Sequence, residues 1–142
     1  MIRRLRACLL SLSLLATPCL AELVVAVRSD SEIGSLGKNE VVDIFLGRLR
    51  QLPSGRIAEP LDQSAHSGER QAFYASLINK TVAEINAYWA RLLFTGRIAP
   101  PRSMETSDRM LEELLRNPRA IGYLDRSKID RRLRVVLELS QP

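Results

Sequence analysis

Apolar and polar positions alternate along this chain in patterns that mark out most of its elements. Leu23-Val24-Val25-Ala26-Val27 is a continuous run rich in β-branched residues, the signature of a buried strand. The polar stretch 29–35 reads as a loop. A helix is predicted over 38–46, with Val41 and Phe45 on one face and Gly47 as its stop. Pro53-Ser54-Gly55 is a turn, and 56–61 a short strand with Pro60 near its end. After the small polar stretch 62–68 a second helix begins, pairing Phe73 with Leu77 and Tyr74 with Ile78. Thr81 and Glu84 have the spacing of a capping box. Ile85, Tyr88, Trp89, Leu92 and Leu93 then form the clearest amphipathic stripe in the chain, and Gly96 ends it.

Pro100-Pro101 forces an extended stretch. Ser107 is placed to cap a further helix, with Leu111, Leu114 and Leu115 inward and Asn117-Pro118 as its stop. Residues 120–124 read as a strand. In the final segment Leu133, Val135, Leu137 and Leu139 alternate with Arg134, Val136 and Glu138, a half-buried strand of period two. No internal repeat is visible. Intermixed strands and helices predict an α/β or α+β class, a small sheet flanked by helices.

The first 21 residues follow a different logic. Arg3, Arg4 and Arg6 precede a short apolar run that closes on Thr17-Pro18-Cys19-Leu20-Ala21. Small residues at −3 and −1 would place cleavage after Ala21, as in a secretory signal peptide. The apolar run is shorter than the about 20 residues needed to cross a bilayer. A lipid-attached reading would use Cys19, for which Pro18 is a poor neighbour. Cleavage would leave residues 22–142 as one domain outside the cytoplasm, with no stable membrane insertion.

Cleavage also changes the charge and the chemistry. The formal net charge falls from +5 to +2 as Arg3, Arg4 and Arg6 leave, and Cys8 and Cys19 go too. A near-balanced domain without a basic tract argues against nucleic-acid binding. With no cysteine and one histidine, His66, there is no metal-ligand spacing and no nucleophile–base pair. Glu112 and Glu113 are adjacent on a helix and so point apart, toward solvent. Neither an enzyme nor a cofactor is implied.

The segment 64–70, leading into the Phe73 helix, is the most informative. A helix start offers free N–H groups and partial positive charge. Ser67, Gly68 and the Arg70 fork would together suit an anion. Equally, Ser67 can be a plain N-cap with nothing bound.

Several pieces, in order, resemble a known family. They are Asp43-Ile44-Phe45-Leu46-Gly47, then Gly55-Arg56-Ile57-Ala58-Glu59-Pro60, then Ser67-Gly68 ahead of Phe73. Tyr88-Trp89-Ala90, Phe94-Thr95-Gly96 and Ala120-Ile121-Gly122-Tyr123 follow. The set resembles the periplasmic phosphate-binding proteins of ABC importers, and most of all a short substrate-binding-like branch. The resemblance implies an α/β fold like one lobe of a type II periplasmic binding protein, a periplasmic location, and a small oxyanion as ligand. It further implies an ABC permease or another envelope protein as partner, and a Gram-negative host. The family's Gly-Ser-Gly-Thr loop falls on His66-Ser67-Gly68-Glu69, where only Ser67 and Gly68 match. Glu69 stands where the family has a hydroxyl. Hydroxyls after the first strand, Ser29, Ser31 and Ser35, are the other contact candidates. The ligand residues expected are thus Ser35, Ser67, Gly68 and Arg70. The alternative is an envelope interaction module that keeps the fold and has lost the anion site.

Overall fold

The computed structural model describes residues 22–96 and 98–139; the expected signal peptide lies outside them. The elements run β1 (Leu23–Arg28), α1 (Lys38–Phe45), β2 (Glu59–Gln63), α2 (Gly68–Ile78), α3 (Val82–Leu93), β3 (Arg102–Met104), α4 (Ser107–Arg116), β4 (Ala120–Asp125) and β5 (Leu133–Glu138). They build one mixed sheet of order β3-β2-β4-β1-β5. β2 runs parallel to β3 and β4, whereas β1 is antiparallel to β4 and β5.

The continuous apolar run of β1 is explained by its place. It lies between β4 and β5, and Leu23 through Val27 are all buried. β4 shows how the two faces are covered. At Gly122 a Cβ would stand 2.9 Å from Met110 Sδ of α4. The next residue, Tyr123, turns to the other face and stacks on Phe73 of α2 at 3.9 Å, with Phe45 of α1 beside both. Thus α4 covers one face, while α1 and α2 cover the other. α3 packs against α2 and buries Ile85 and Trp89.

Local chemistry sets the helix ends. Thr81 and Glu84 form the expected capping box of α3. Asn79 closes α2 in the left-handed conformation. Gly47 follows α1 at φ 71°, and a Cβ there would lie 2.7 Å from Ile98 Cγ2 and 2.9 Å from Trp89 Cη2. Gly47→Ala should therefore cost about 2–3 kcal/mol, through left-handed strain and overpacking together. Urea unfolding of the variant checks this, and a loss under ~0.5 kcal/mol would refute the close packing of Trp89 on this turn.

Four sequence expectations need correction. β2 starts at Glu59 rather than 56, and Pro60 lies inside it. Glu59 N–H bonds Arg119 O on the β4 side, so the Pro60 nitrogen faces the β3 side, ahead of the first paired residue there, Leu61. α4 is capped by Thr106, whose Oγ1 accepts from Arg109 N–H, and its buried residues are Met110, Glu113 and Leu114, with Leu111 and Leu115 only partly buried against the core. Glu113 is not solvated like Glu112. It is buried and paired with Arg116 and Arg102, which hold its carboxyl below the usual range. Finally, the period of two in β5 breaks. Val25 faces Leu137 but Ala26 faces Val135, so Val136 is an extra residue in a bulge. Its carbonyl accepts from Leu36 N–H, and Val136 is buried.

Candidate functional site

β2 and β3 lie side by side and parallel, and each runs directly into a helix. Parallel strands end on the same edge of the sheet, so the starts of α2 and α4 are brought together there. Ser64 N–H extends the ladder by bonding Met104 O. Between the two helix starts is an open pocket of about 490 Å3, lined by Gln63, Ser64, His66, Ser67, Gly68, Glu69, Glu105, Thr106 and Ser107. Clefts at the carboxyl ends of parallel strands are the common ligand sites of open α/β sheets.

The donors in this pocket can be assigned. Ser67 is the N-cap of α2: its Oγ accepts from Arg70 N–H at 3.2 Å and donates to Gln63 Oε1 at 2.5 Å. The Gln63 amide in turn donates to Glu69 Oε2 at 2.6 Å. Gln63 thus ties the cap to the first-turn carboxylate. With Arg70 and Arg109 N–H taken by the caps, the N–H groups of Gly68, Glu69, Ser107 and Asp108 have no acceptor within their helices. Ser107 Oγ has no partner either. Asp108 is drawn to Lys128 Nζ at 2.6 Å, and that ammonium holds its carboxyl below the ordinary range. The pocket therefore combines two positive helix ends with two carboxylates, Glu69 and Glu105.

Arg70 does not face this pocket. It is 6% exposed and lies beneath α2. Its Nε donates to Asp62 Oδ2 at 3.0 Å, and both terminal nitrogens reach Asn86 Oδ1 at 3.2 Å. Asp62 also accepts from Tyr74 Oη at 2.8 Å, Tyr123 Oη at 2.6 Å and its neighbour's Gln63 N–H at 2.8 Å. Burial, together with the Asp62 charge, raises both phenols far above the usual tyrosine range, so they stay donors. Arg70 is a buried ion-pair partner supporting the end of β2.

Ser67 and Gly68 sit together at the pocket, but Ser35 does not join them. β1 is antiparallel to β4, so the loop after β1 emerges at the opposite edge of the sheet from Ser67. There Ser29 N–H bonds Arg132 O, and the buried Ser31 donates to Pro118 O. Ser35 is exposed and precedes Leu36, which bonds Val136 of β5. Between β2 and β5 stand β4 and β1, a separation of about 14 Å. His66 is exposed at the pocket rim. Gln63, Thr106 and Ser107 were not anticipated as site residues. Thr106-Ser107-Asp108 did carry a cap signal, one residue earlier than expected.

Among the described residues no cluster of three or more His, Cys, Asp or Glu could hold a metal ion, and no helix is long and apolar enough to cross a membrane.

Comparison with known proteins separates fold from identity. No protein-family model matches the sequence, and no curated protein matches it. Solved structures do match. A putative phosphate ABC transporter substrate-binding protein from Clostridium perfringens, with bound phosphate, superposes with a TM-score of 0.64 at 16% identity. The match covers 81% of this chain and 44% of that one. An ABC-type phosphate transport receptor from Vibrio cholerae gives 0.62 at 14% identity, covering 81% and 45%. PstS from Borrelia burgdorferi gives 0.60 at 14%, covering 81% and 46%.

The fold is therefore mixed α/β, a small mixed sheet flanked by helices, and corresponds to one lobe of a type II periplasmic binding protein. This chain spans less than half the length of the structures it matches.

Proposed function

We propose that this chain is a non-catalytic, solute-binding-like protein of the periplasm that holds a phosphate-like oxyanion in the pocket between the starts of α2 and α4. The observation that carries this reading is the convergence of two helix N-termini on one open pocket at the carboxyl edge of β2 and β3. The N–H groups of Gly68, Glu69, Ser107 and Asp108 are the donors, with Ser67 and Ser107 as hydroxyl contacts. Ser67 would exchange Gln63 for the ligand. Arg70 supports the site from below through Asp62. The shared fold with phosphate-binding proteins supports the ligand class and a role in ABC-type uptake or sensing. The signal-like residues 1–21 support the location.

Glu69 and Glu105 bear on selectivity. A carboxylate repels a fully deprotonated anion but accepts a hydrogen bond from one that carries a proton. Phosphate, protonated near neutral pH, is favoured over sulfate on this ground.

A thermal-shift titration with phosphate, sulfate and chloride at matched ionic strength tests the reading. Saturable stabilisation by phosphate is expected, about 2.7 kcal/mol at a hundredfold excess over Kd. Ser67→Ala should lower basal stability by about 1 kcal/mol through loss of the cap. It should also reduce the phosphate-induced shift by at least half. Equal responses to all three anions, or none up to millimolar phosphate, would sink the proposal.

A further inference from the structure

A second hollow lies at the opposite end of α2 from the anion pocket. The pocket touches Gly68 and the hollow Ile78, about 15 Å apart along the helix. The hollow measures about 310 Å3 and shares no residue with the pocket. Its bottom is apolar: Leu46 and Ile85 are buried, and Ile78 and Tyr88 half-buried. Three exposed cations, Arg48, Lys80 and Arg91, stand around it. We propose that this hollow binds a small amphiphilic carboxylate, one anionic head on a hydrocarbon body. The proposal does not depend on the anion pocket.

Charge selects the head. Glu84, Ala87, Tyr88 and Arg91 share one face of α3 at helical spacing. Glu84 is the carboxylate among the lining residues, and it is already held. Its Oε1 accepts from Lys80 Nζ at 3.0 Å and its Oε2 from Thr81 N–H at 2.8 Å. Arg48 reaches Asp43 only at 3.5 Å, the outer limit of a hydrogen bond. Arg91, in the last turn of α3, makes no ion pair among the described residues. Two guanidinium forks are thus left for an incoming carboxylate, whose paired oxygens they match.

The floor selects the body. Inorganic phosphate or sulfate has no surface to lay on Leu46, Ile78, Ile85 and Tyr88. Hydrocarbon has, and each CH2 taken out of water there strengthens binding up to about fourfold. At ~30 Å3 for each water-sized group, the hollow holds about ten non-hydrogen atoms, the size of octanoate.

The backbone disfavours a peptide. Every lining residue lies on a helix or within three residues of its end. Carbonyls at those ends are taken: Leu46 O accepts from Tyr88 Oη at 2.7 Å, Asp43 O from Arg48 and Leu49 N–H, and Tyr74 O from Lys80 N–H. An extended chain finds no strand edge here to pair with.

The test is a calorimetric and thermal-shift titration of the purified protein with octanoate below its micelle concentration. Hexanoate, acetate and octan-1-ol are the comparisons. Saturable octanoate binding is expected, with hexanoate at least ~3-fold weaker and acetate and octan-1-ol at least ~10-fold weaker. Arg48→Gln and Arg91→Gln should each weaken octanoate about fivefold. Both side chains are exposed, so Tm without ligand and the phosphate response should not change. Ala87→Phe, at another exposed position, keeps both arginines but fills the hollow, and should abolish octanoate binding. Octan-1-ol that binds as tightly as octanoate, or octanoate binding unchanged in all three variants, would overturn the proposal. So would a fall in Tm with no saturable binding. Phosphatidylglycerol vesicles or an acidic peptide that bind the parent protein but not the arginine variants, with monomeric octanoate failing to bind, would replace it with a membrane or protein contact.

Discussion

Asp62→Ala should lower the unfolding free energy by about 3–5 kcal/mol, the cost of breaking a buried ion pair from one side. The carboxylate is 5% exposed and gathers hydrogen bonds from Arg70, Tyr74, Tyr123 and Gln63 N–H. Its removal leaves the Arg70 guanidinium buried without a counter-charge and two phenols without their acceptor. Tyr74→Phe or Tyr123→Phe alone should cost about 1 kcal/mol, the ordinary worth of one hydrogen bond. Asp62→Leu combined with Arg70→Met should lose less than Asp62→Ala, because no charge is then stranded. Urea unfolding followed by circular dichroism measures all four. A loss under ~1 kcal/mol for Asp62→Ala would mean that water reaches Arg70, contrary to the buried network.

Phe73→Ala should be of similar size, about 3–5 kcal/mol, for a different reason. Phe73 is fully buried where both helices on that face meet the sheet. Its ring stacks on Tyr123 at 3.9 Å and 7°, meets Tyr74 edge-on at 5.0 Å and tilts against Phe45 at 4.8 Å. Alanine leaves a cavity that three rigid rings cannot fill without moving. Phe73→Leu should lose roughly half as much, since it retains most of the volume. The two large effects should not add. Tyr123 touches both Phe73 and Asp62, so a double-mutant cycle should show coupling of at least ~0.5 kcal/mol. Strict additivity would show that the aromatic cluster and the polar network are independent.

The same contacts show what was legible in the residues. The β1 run, the α1 stripe, the Thr81–Glu84 box and the Asn117-Pro118 stop all stood out, and each holds in the fold; the α3 stripe holds through Ile85, Tyr88, Trp89 and Leu92 but not at Leu93, which is exposed. Ser67 was legible as a cap, and its hydroxyl does cap α2. The role of Arg70 was not. Position within a first turn says nothing about which way a long side chain leans, and Arg70 leans toward Asp62 because the end of β2 places that carboxylate beneath it. Glu113 was misjudged for a similar reason, since its partner Arg102 comes from β3. The break in β5 was hidden because a bulge is recorded in the register against β1, not in the alternation of β5 itself.

By itself, then, the sequence determined which elements occur and their positions to within a few residues, and which class of fold they compose. Those outcomes depend on periodicity, turn residues and caps, whose energetics act within about one helical turn or a few residues. The tertiary structure alone decided strand direction and neighbourhood. Running β2 and β3 parallel put the starts of α2 and α4 into one pocket. Running β1 antiparallel sent the loop carrying Ser29 and Ser31 to the other edge of the sheet. Such pairings join residues far apart in the chain, through backbone groups that every residue possesses, so no local pattern encodes them.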